Sequence, residues 1–295
     1  MSRRGLILFA TMSVIWGLPY LLISVAVESL APATVVAGRT GIAALLLLPL
    51  AIRQGSLRIA LQHWRWILAF AAIEMSVPFI LLGHAEQTLP SGLTGLLVAT
   101  VPLFGAIVSY VLGDHHALTR SRILGLVLGL AGVALVVGAA GGDGDVRLVN
   151  VVEVLIVAVC YSIAPFITDR KLQAVPGIGL ATLALGMVAV VYTPIAALTQ
   201  DGTPTHRSLE ALLALAIVCT AIAFVVFFAL IREVGPARAT VITFINPVIA
   251  LALGVVILGE TLSAGQLLGL PIVLAGCWLA AGQRTDDGPI LIPEP

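Results

Sequence analysis

The sequence predicts an all-α integral membrane protein of ten transmembrane helices, arranged as two inverted five-helix repeats with both termini in the cytoplasm. Three observations predict this fold class: an apolar composition, ten long apolar segments, and basic residues concentrated in alternate loops. Of the 295 residues, 60% are hydrophobic and 10% are charged, whereas a soluble domain carries about 25% charged residues. A soluble fold needs a polar surface, and a bilayer removes that need.

Ten apolar segments are long enough to cross a bilayer, for which a helix needs roughly 20 mostly apolar residues. Short connections separate them. Helices three and four are divided at the polar stretch that ends at Pro90. The predicted spans are 6–26, 33–52, 65–83, 91–112, 121–140, 149–168, 178–198, 209–230, 237–257 and 265–282.

The loop charges support this number of helices. With the N-terminus in the cytoplasm, 12 basic residues lie in cytoplasmic segments, whereas only Arg147 and Arg207 lie in external ones. Cytoplasmic loops of membrane proteins carry an excess of Lys and Arg. One missed span would destroy this alternation, so both termini are predicted to be cytoplasmic.

The two halves of the chain resemble one another at an offset of about 145 residues. Repeated landmarks divide the chain into a first unit at 1–142, a second at 147–283 and a short cytoplasmic tail at 284–295. One unit contains Pro90, Val101-Pro102, Gly113-Asp114, Leu124-Gly125 and Ala131-Gly132, and the other contains Pro236, Asn246-Pro247, Gly259-Glu260, Leu268-Gly269 and Ala275-Gly276. Five helices per unit place the second unit upside down, as in many secondary transporters.

These landmarks resemble the EamA-type transporters of the drug/metabolite transporter superfamily. The likeness is strongest along Gly235-Pro236-Ala237-Arg238-Ala239, Pro247 and Leu258-Gly259-Glu260-Thr261-Leu262. Where that family commonly has Gly-Glu-Arg, the first half has Gly113-Asp114-His115-His116. The resemblance implies a multi-pass carrier of the bacterial inner membrane that exports amino acids, related metabolites or drugs. It also implies that helices one to four and six to nine line a central path, with five and ten at the periphery.

The leading hypothesis is therefore a secondary transporter of a small-molecule substrate that works by alternating access, with protons as one candidate driving ion. An uncoupled facilitator or channel, an intramembrane lipid enzyme, and a receptor or assembly factor are the rival hypotheses. No phosphate-binding Gly-x-x-x-x-Gly-Lys-Ser/Thr motif is present, so direct use of ATP is not expected. No enzymatic activity, cofactor, metal or nucleic-acid partner is predicted, and a homodimer is left open.

Glu74 and Arg39 are the charged residues most deeply placed in predicted helices. Glu74 lies about ten residues into helix three, and Arg39 lies six residues into helix two, roughly 9 Å deep. Charged groups at such depth are costly and usually face a cavity. Glu74 is interpreted as a proton- or amine-binding group, and Arg39 as its partner or as an anchor for a substrate carboxylate. The alternative is a structural ion pair between the two.

Thr243 and Asn246 precede a proline, Pro247, in helix nine. Pro247 removes a backbone donor and frees a carbonyl near Thr243, and loosened backbone at this depth is tolerated where it lines a cavity. The alternative for Asn246 is an interhelical hydrogen bond. Pro19, Pro102 and Pro165 are predicted to bend helices one, four and six in the same way.

Three aromatic residues fall near the middle of helices, away from the interfaces where Trp and Tyr usually gather. Trp16, Tyr20 and Tyr161 could enclose an apolar or cationic solute, and simple packing is the alternative. Asp114 and Glu260 are expected to cap the following helix or gate an entrance. His115 and His116 are neighbours that do not share a helix face, which argues against a metal site.

Overall fold

The computed structural model describes residues 1–114, 118–140, 147–239 and 241–281. The predictions that concern His115, His116 and the tail 284–295 lie outside the described residues. Within the described part the chain is helical and contains no strand.

Ten apolar helices coincide with the ten predicted segments. Nine of those in the described residues are long and apolar enough to span a membrane, and α9 is shorter. Their bounds are α1 Arg3–Ala26, α2 Pro32–Arg53, α3 Trp64–Ala85, α4 Ser91–Val111, α5 Arg120–Ala140, α6 Leu148–Lys171, α7 Gly177–Thr199, α8 His206–Val234, α9 Ile242–Leu258 and α10 Ala264–Ala281. The prediction for the start of helix nine was wrong by several residues, because a separate short helix, Pro236–Ala239, precedes α9.

Contacts between helix ends define two faces of the bundle. We call the face that carries the N-terminus the proximal face and the opposite one the distal face. Proximal contacts join Ser2 to Glu233 and Arg170 to Leu112, and distal contacts join Ser29 to Thr205, Asn150 to Ala85, and Ser91 to Glu260. These pairs are those expected if successive helices alternate in direction.

Two of the four predicted bending prolines lie at helix interruptions. α1 consists of Arg3–Gly17 and a second segment that begins at Pro19. α4 is interrupted at Ala99 and Thr100, immediately before the segment that contains Pro102. By contrast, Pro165 and Pro247 lie inside uninterrupted helices. The predicted bends are thus accompanied by breaks only in the first half of the chain.

Two π-helical segments interrupt α3 and α8. They cover Ala72–Ser76 and Ile217–Ile222, and their first residues are 145 positions apart. That spacing equals the offset between the repeated landmarks of the sequence. Single π-helical turns frequently mark functional sites because the wider turn redirects side chains. The first segment carries Glu74 and the second carries Thr220.

Small residues bring α5 and α10 into close contact. A Cβ atom added at Gly276 would lie 2.5 Å from the Gly129 backbone nitrogen, and one at Gly125 would lie 2.6 Å from the Gly276 carbonyl oxygen. Glycines thus allow the two backbones to pack directly against each other. The glycine-rich face of α5 is used for contact within the chain.

The α9–α10 loop caps the N-terminus of α4. One carboxylate oxygen of Glu260 accepts hydrogen bonds from the backbone N–H and the hydroxyl of Ser91, both at 2.7 Å, and the other accepts from the Gly92 N–H at 3.1 Å. The prediction that Glu260 caps the helix that follows it was wrong. Ser263 occupies that position, because its hydroxyl accepts from the Gln266 N–H at 3.1 Å.

Replacement of Glu260 by glutamine should lower the free energy of unfolding by about 1–3 kcal/mol, because charge-assisted hydrogen bonds at a helix N-terminus are lost. The amide also brings a donor towards the Gly92 N–H. The melting temperature measures the effect. The control is Glu28→Gln, which removes only an exposed pair with Arg207 at 3.7 Å and should change stability by less than about 1 kcal/mol. Equal effects of the two substitutions would contradict the cap.

Candidate functional site

Arg39 lies inside the helix bundle. Contacts hold its guanidinium group along the Nε edge and on one planar face. The residue is 7% exposed. Its Nε donates to Thr220 Oγ1 at 2.9 Å, and its guanidinium carbon lies 3.9 Å from the centre of the Phe79 ring. Thr220 Oγ1 in turn donates to the Leu215 carbonyl at 2.8 Å. These contacts fix the direction of the guanidinium group, which forms no ion pair with any residue that the structure describes.

The outer edge of the Arg39 guanidinium is open. Neither terminal nitrogen makes a hydrogen bond to a residue in the described part of the chain. A guanidinium presents planar N–H donors that match a carboxylate in a two-point contact. The free edge of Arg39 is therefore suited to bind a carboxylate from outside the protein.

Glu74 lies half-buried at the middle of α3, within the π-helical segment. It makes no hydrogen bond or ion pair with any described residue. The structural ion pair between Glu74 and Arg39, which was the alternative interpretation of these residues, is absent from the described part of the chain, because Thr220 and Phe79 hold the guanidinium elsewhere. Two opposite charges thus lie in the bundle interior without neutralising each other.

Tyr161 lies in the neighbourhood of both charged residues. It lies within electrostatic range of both Arg39 and Glu74. Tyr20, which is 9% exposed, interacts electrostatically with Arg39 and with Tyr161. Four of the predicted site residues therefore occupy one region of the bundle, although they come from α1, α2, α3 and α6.

Trp16 lies elsewhere. Its ring packs against Phe227 with centroids 4.6 Å apart and planes inclined by 42°. The surrounding apolar cluster contains Met12, Ile15 and Leu230. These contacts favour the packing interpretation that the sequence left open.

Asn246 joins two helices. Oriented to satisfy its hydrogen bonds, its amide nitrogen donates to the carbonyl oxygens of Ser13 at 3.2 Å and Ile242 at 3.0 Å. The first bond crosses from α9 to α1, as in the interhelical alternative. Thr243 is half-buried one turn before Pro247.

A cavity of about 710 Å³ opens at the distal face between the ends of α1, α2, α3, α6 and α7. On α3 its wall reaches Ile80, which is six residues, or about 9 Å of helix, from Glu74. Neither Glu74 nor Arg39 lines this cavity. It is lined by Val27 to Ala33, Ile80, Leu81, His84, Gln87, Glu153, Ile195, Thr199 and Asp201.

The charged side chains that line this distal cavity are mainly acidic. Glu28, Glu153 and Asp201 all line it. His84 Nδ1 lies 2.8 Å from a Glu153 carboxylate oxygen. The negative charges favour cations near the mouth of the cavity.

Glu86 is a buried acidic residue in the polar stretch between the third and fourth predicted spans. It is 4% exposed, and neither carboxylate oxygen has a hydrogen-bond partner within the described part of the chain. Its position between two spans resembled an ordinary loop. The burial depends on distant parts of the chain such as α1, whose Ser24 backbone lies near Glu86, so no signal in the local sequence pointed to it.

Comparisons with known proteins agree with this architecture. The EamA-like transporter family matches residues 3–138 and 150–282. The chain is 30% identical over 264 residues to the uncharacterized inner membrane transporter YedA of Escherichia coli K12, covering 88% of this chain and 85% of the relative.

Two more distant relatives carry names that mention cargo. A probable amino-acid metabolite efflux pump of Salmonella typhimurium is 22% identical over 291 residues, which is 95% of each chain. A probable terminal-alkyne amino-acid exporter of Streptantibioticus cattleyicolor is 28% identical over 211 residues, which is 70% of each chain.

A solved crystal structure superposes on 95% of this chain and 97% of its own, with a TM-score of 0.66 and 19% identity. This likeness shows a shared fold. Together with the family match, which covers both halves, and the apolar helices, it defines a multi-pass protein of the inner membrane. The chain belongs to the EamA-like transporter family.

Proposed function

We propose that this protein exports amino acids or closely related metabolites by alternating access around a mid-membrane site that contains Arg39 and Glu74. The observation that carries the proposal is the presence of two unpaired opposite charges in one region of the bundle. A buried charge without a counter-ion is expensive. A solute that supplies both missing counter-ions would relieve that cost.

A zwitterionic α-amino acid has the required chemistry. Its carboxylate fits the open edge of the Arg39 guanidinium, and its ammonium group fits the Glu74 carboxylate. Tyr161, which lies within electrostatic range of both residues, offers a hydroxyl as a further hydrogen-bonding group. The names of two relatives mention amino acids or their metabolites, which supports this class of cargo.

Competition at Glu74 provides a means of coupling. A carboxylate can bind a proton or a substrate ammonium, but not both at full strength. A proton that enters from outside would displace the ammonium, and an amino acid from inside would displace the proton. Proton–substrate antiport follows from that exclusion.

The inverted repeat provides the conformational change. The π-helical segments of α3 and α8 and the interruptions of α1 and α4 give the helices places to flex near the proposed site. We assign the proximal face to the cytoplasm, since it carries the basic loops. The distal cavity then opens to the exterior.

Exchange in proteoliposomes tests the function. Vesicles that contain the purified protein and a high internal concentration of an unlabelled neutral amino acid should accumulate the same labelled amino acid transiently, with saturable kinetics. Empty vesicles are the control. A facilitator of the channel type would give flux without saturation or counterflow, and the absence of counterflow across a panel of zwitterionic amino acids would contradict the proposal.

A further inference from the structure

Glu86 ends α3 at the distal face and is enclosed by protein. Both carboxylate oxygens are shielded from solvent and lack a hydrogen-bond partner among the described residues. By contrast, its neighbours His84 and Gln87 are exposed and line the distal cavity. The Glu86 carboxyl therefore faces inward, close to polar side chains that face water.

Charged and titratable groups surround Glu86 on three elements. Tyr20 on α1, Arg39 on α2 and Glu260 in the α9–α10 loop all lie within its electrostatic range. The backbone of Ser24 on α1 approaches it as well. Glu260 is held by its bonds to the start of α4, so a second negative charge is fixed close to Glu86.

A bare carboxylate in this position would be strongly destabilised. Burial raises the pKa of the Glu86 carboxyl well above its usual range, and the nearby carboxylate of Glu260 acts in the same direction. The Ser24 backbone and Arg39 lower that pKa, but to a smaller degree. Since a raised pKa means that the buried form binds its proton more tightly, burial is favoured at low pH and becomes costly as pH rises above the ordinary carboxyl range.

We propose that Glu86 is a second proton-binding site of this carrier, loaded from the distal face and occupied whenever the α3–α4 loop is closed against α1. The proton comes from water in the distal cavity and binds a carboxylate oxygen of Glu86. When the loop opens, water solvates the Glu86 carboxylate, and the proton is released to that water. This inference deepens the proposed function, because it makes closure of the distal side depend on external protons.

The placement gives Glu86 a role distinct from that of Glu74. Glu74 is half-buried and lies at the middle of α3, whereas Glu86 is buried above it at the distal end. Protonation of Glu86 removes the negative charge that would otherwise compete for Arg39. The free guanidinium edge of Arg39 then remains available for a substrate carboxylate.

The pH dependence of stability tests this site without any substrate. The Glu86→Gln variant has a neutral side chain of nearly the same shape, so it should match the protonated wild type. Its melting temperature should equal that of the wild type at about pH 5 and exceed it increasingly towards about pH 8. Glu86→Leu should show the same pH dependence as Glu86→Gln. For the control Glu28→Gln, the difference in melting temperature from wild type should be the same at each pH. A difference between Glu86→Gln and wild type that is constant with pH would overturn the proposal.

A transport measurement separates this inference from the proposed function. With the amino acid that gives counterflow in wild type, Glu86→Gln should retain counterflow, but external acid should no longer accelerate exchange. Acceleration by acid as large as in wild type would overturn the role of Glu86 while leaving the proposed function intact. If no amino acid exchanged, but the melting temperature of Glu86→Gln varied with pH as expected, amino acids would be rejected as the substrate and the proton site at Glu86 would stand.

Discussion

Replacement of Arg39 by glutamine should weaken the binding of zwitterionic amino acids by at least about 30-fold, a loss of about 2 kcal/mol. The open edge of the guanidinium supplies two parallel donors and a full charge to the substrate carboxylate, whereas glutamine supplies one neutral donor group. Within the described residues, the substitution also removes the Nε bond to Thr220, the contact with Phe79 and the electrostatic interaction with Glu86. Binding is measured by the concentration dependence of counterflow or by the shift of the melting temperature on ligand addition.

Two comparisons separate recognition from structure. Arg39→Lys keeps the charge but loses the planar edge, so it should bind more tightly than Arg39→Gln and more weakly than wild type. An amine that lacks the carboxylate should bind equally weakly to wild type and Arg39→Gln. If Arg39→Gln weakened that amine as much as the amino acid, Arg39 would act through the packing of α2 on α8 and not through the carboxylate.

The positions of the helices could be predicted from the sequence because they depend on a local property. Hydropathy and length decide where each span begins and ends, and α2, for example, extends only one residue beyond the predicted 33–52 at either end. The depth of Arg39 and Glu74 follows from the same property and the fixed rise of the helix. Their common region could therefore be predicted from the sequence before any contact between helices was known.

The partners of these side chains could not be predicted in the same way, because they depend on how each helix is rotated about its axis. A difference in depth of only about 6 Å suggested that the long Arg39 side chain reaches Glu74, yet α8 supplies Thr220 and α3 supplies Phe79 to the guanidinium. Glu260 was recognised as a cap, but the helix that it caps lies in the other half of the chain. The burial of Glu86 could not be predicted from the sequence, because it depends on α1 and the α9–α10 loop.

Replacement of Glu74 by glutamine should abolish pH-driven flux while counterflow persists. The amide has the size of the carboxyl but cannot take up a proton, so the exclusion between proton and ammonium disappears. An ammonium group can still donate to the amide oxygen, so we expect binding to weaken by only about tenfold, the effect of about 1.4 kcal/mol. The measurement is uptake into proteoliposomes under an imposed pH gradient, beside counterflow without a gradient.

Two control variants test whether proton coupling depends on the carboxyl group of Glu74. Glu153→Gln removes an acid from the distal cavity, where it pairs with His84, and should leave pH-driven flux within about twofold of wild type. Glu74→Asp keeps the titrating group and should retain coupling, with altered affinity because the carboxylate is withdrawn by one methylene. Undiminished pH-driven flux in Glu74→Gln would rule out Glu74 as the shared site. Since Glu86→Gln is expected to lose only the acceleration by external acid, the two variants distinguish a carboxyl that exchanges a proton for the substrate from one that gates the distal side.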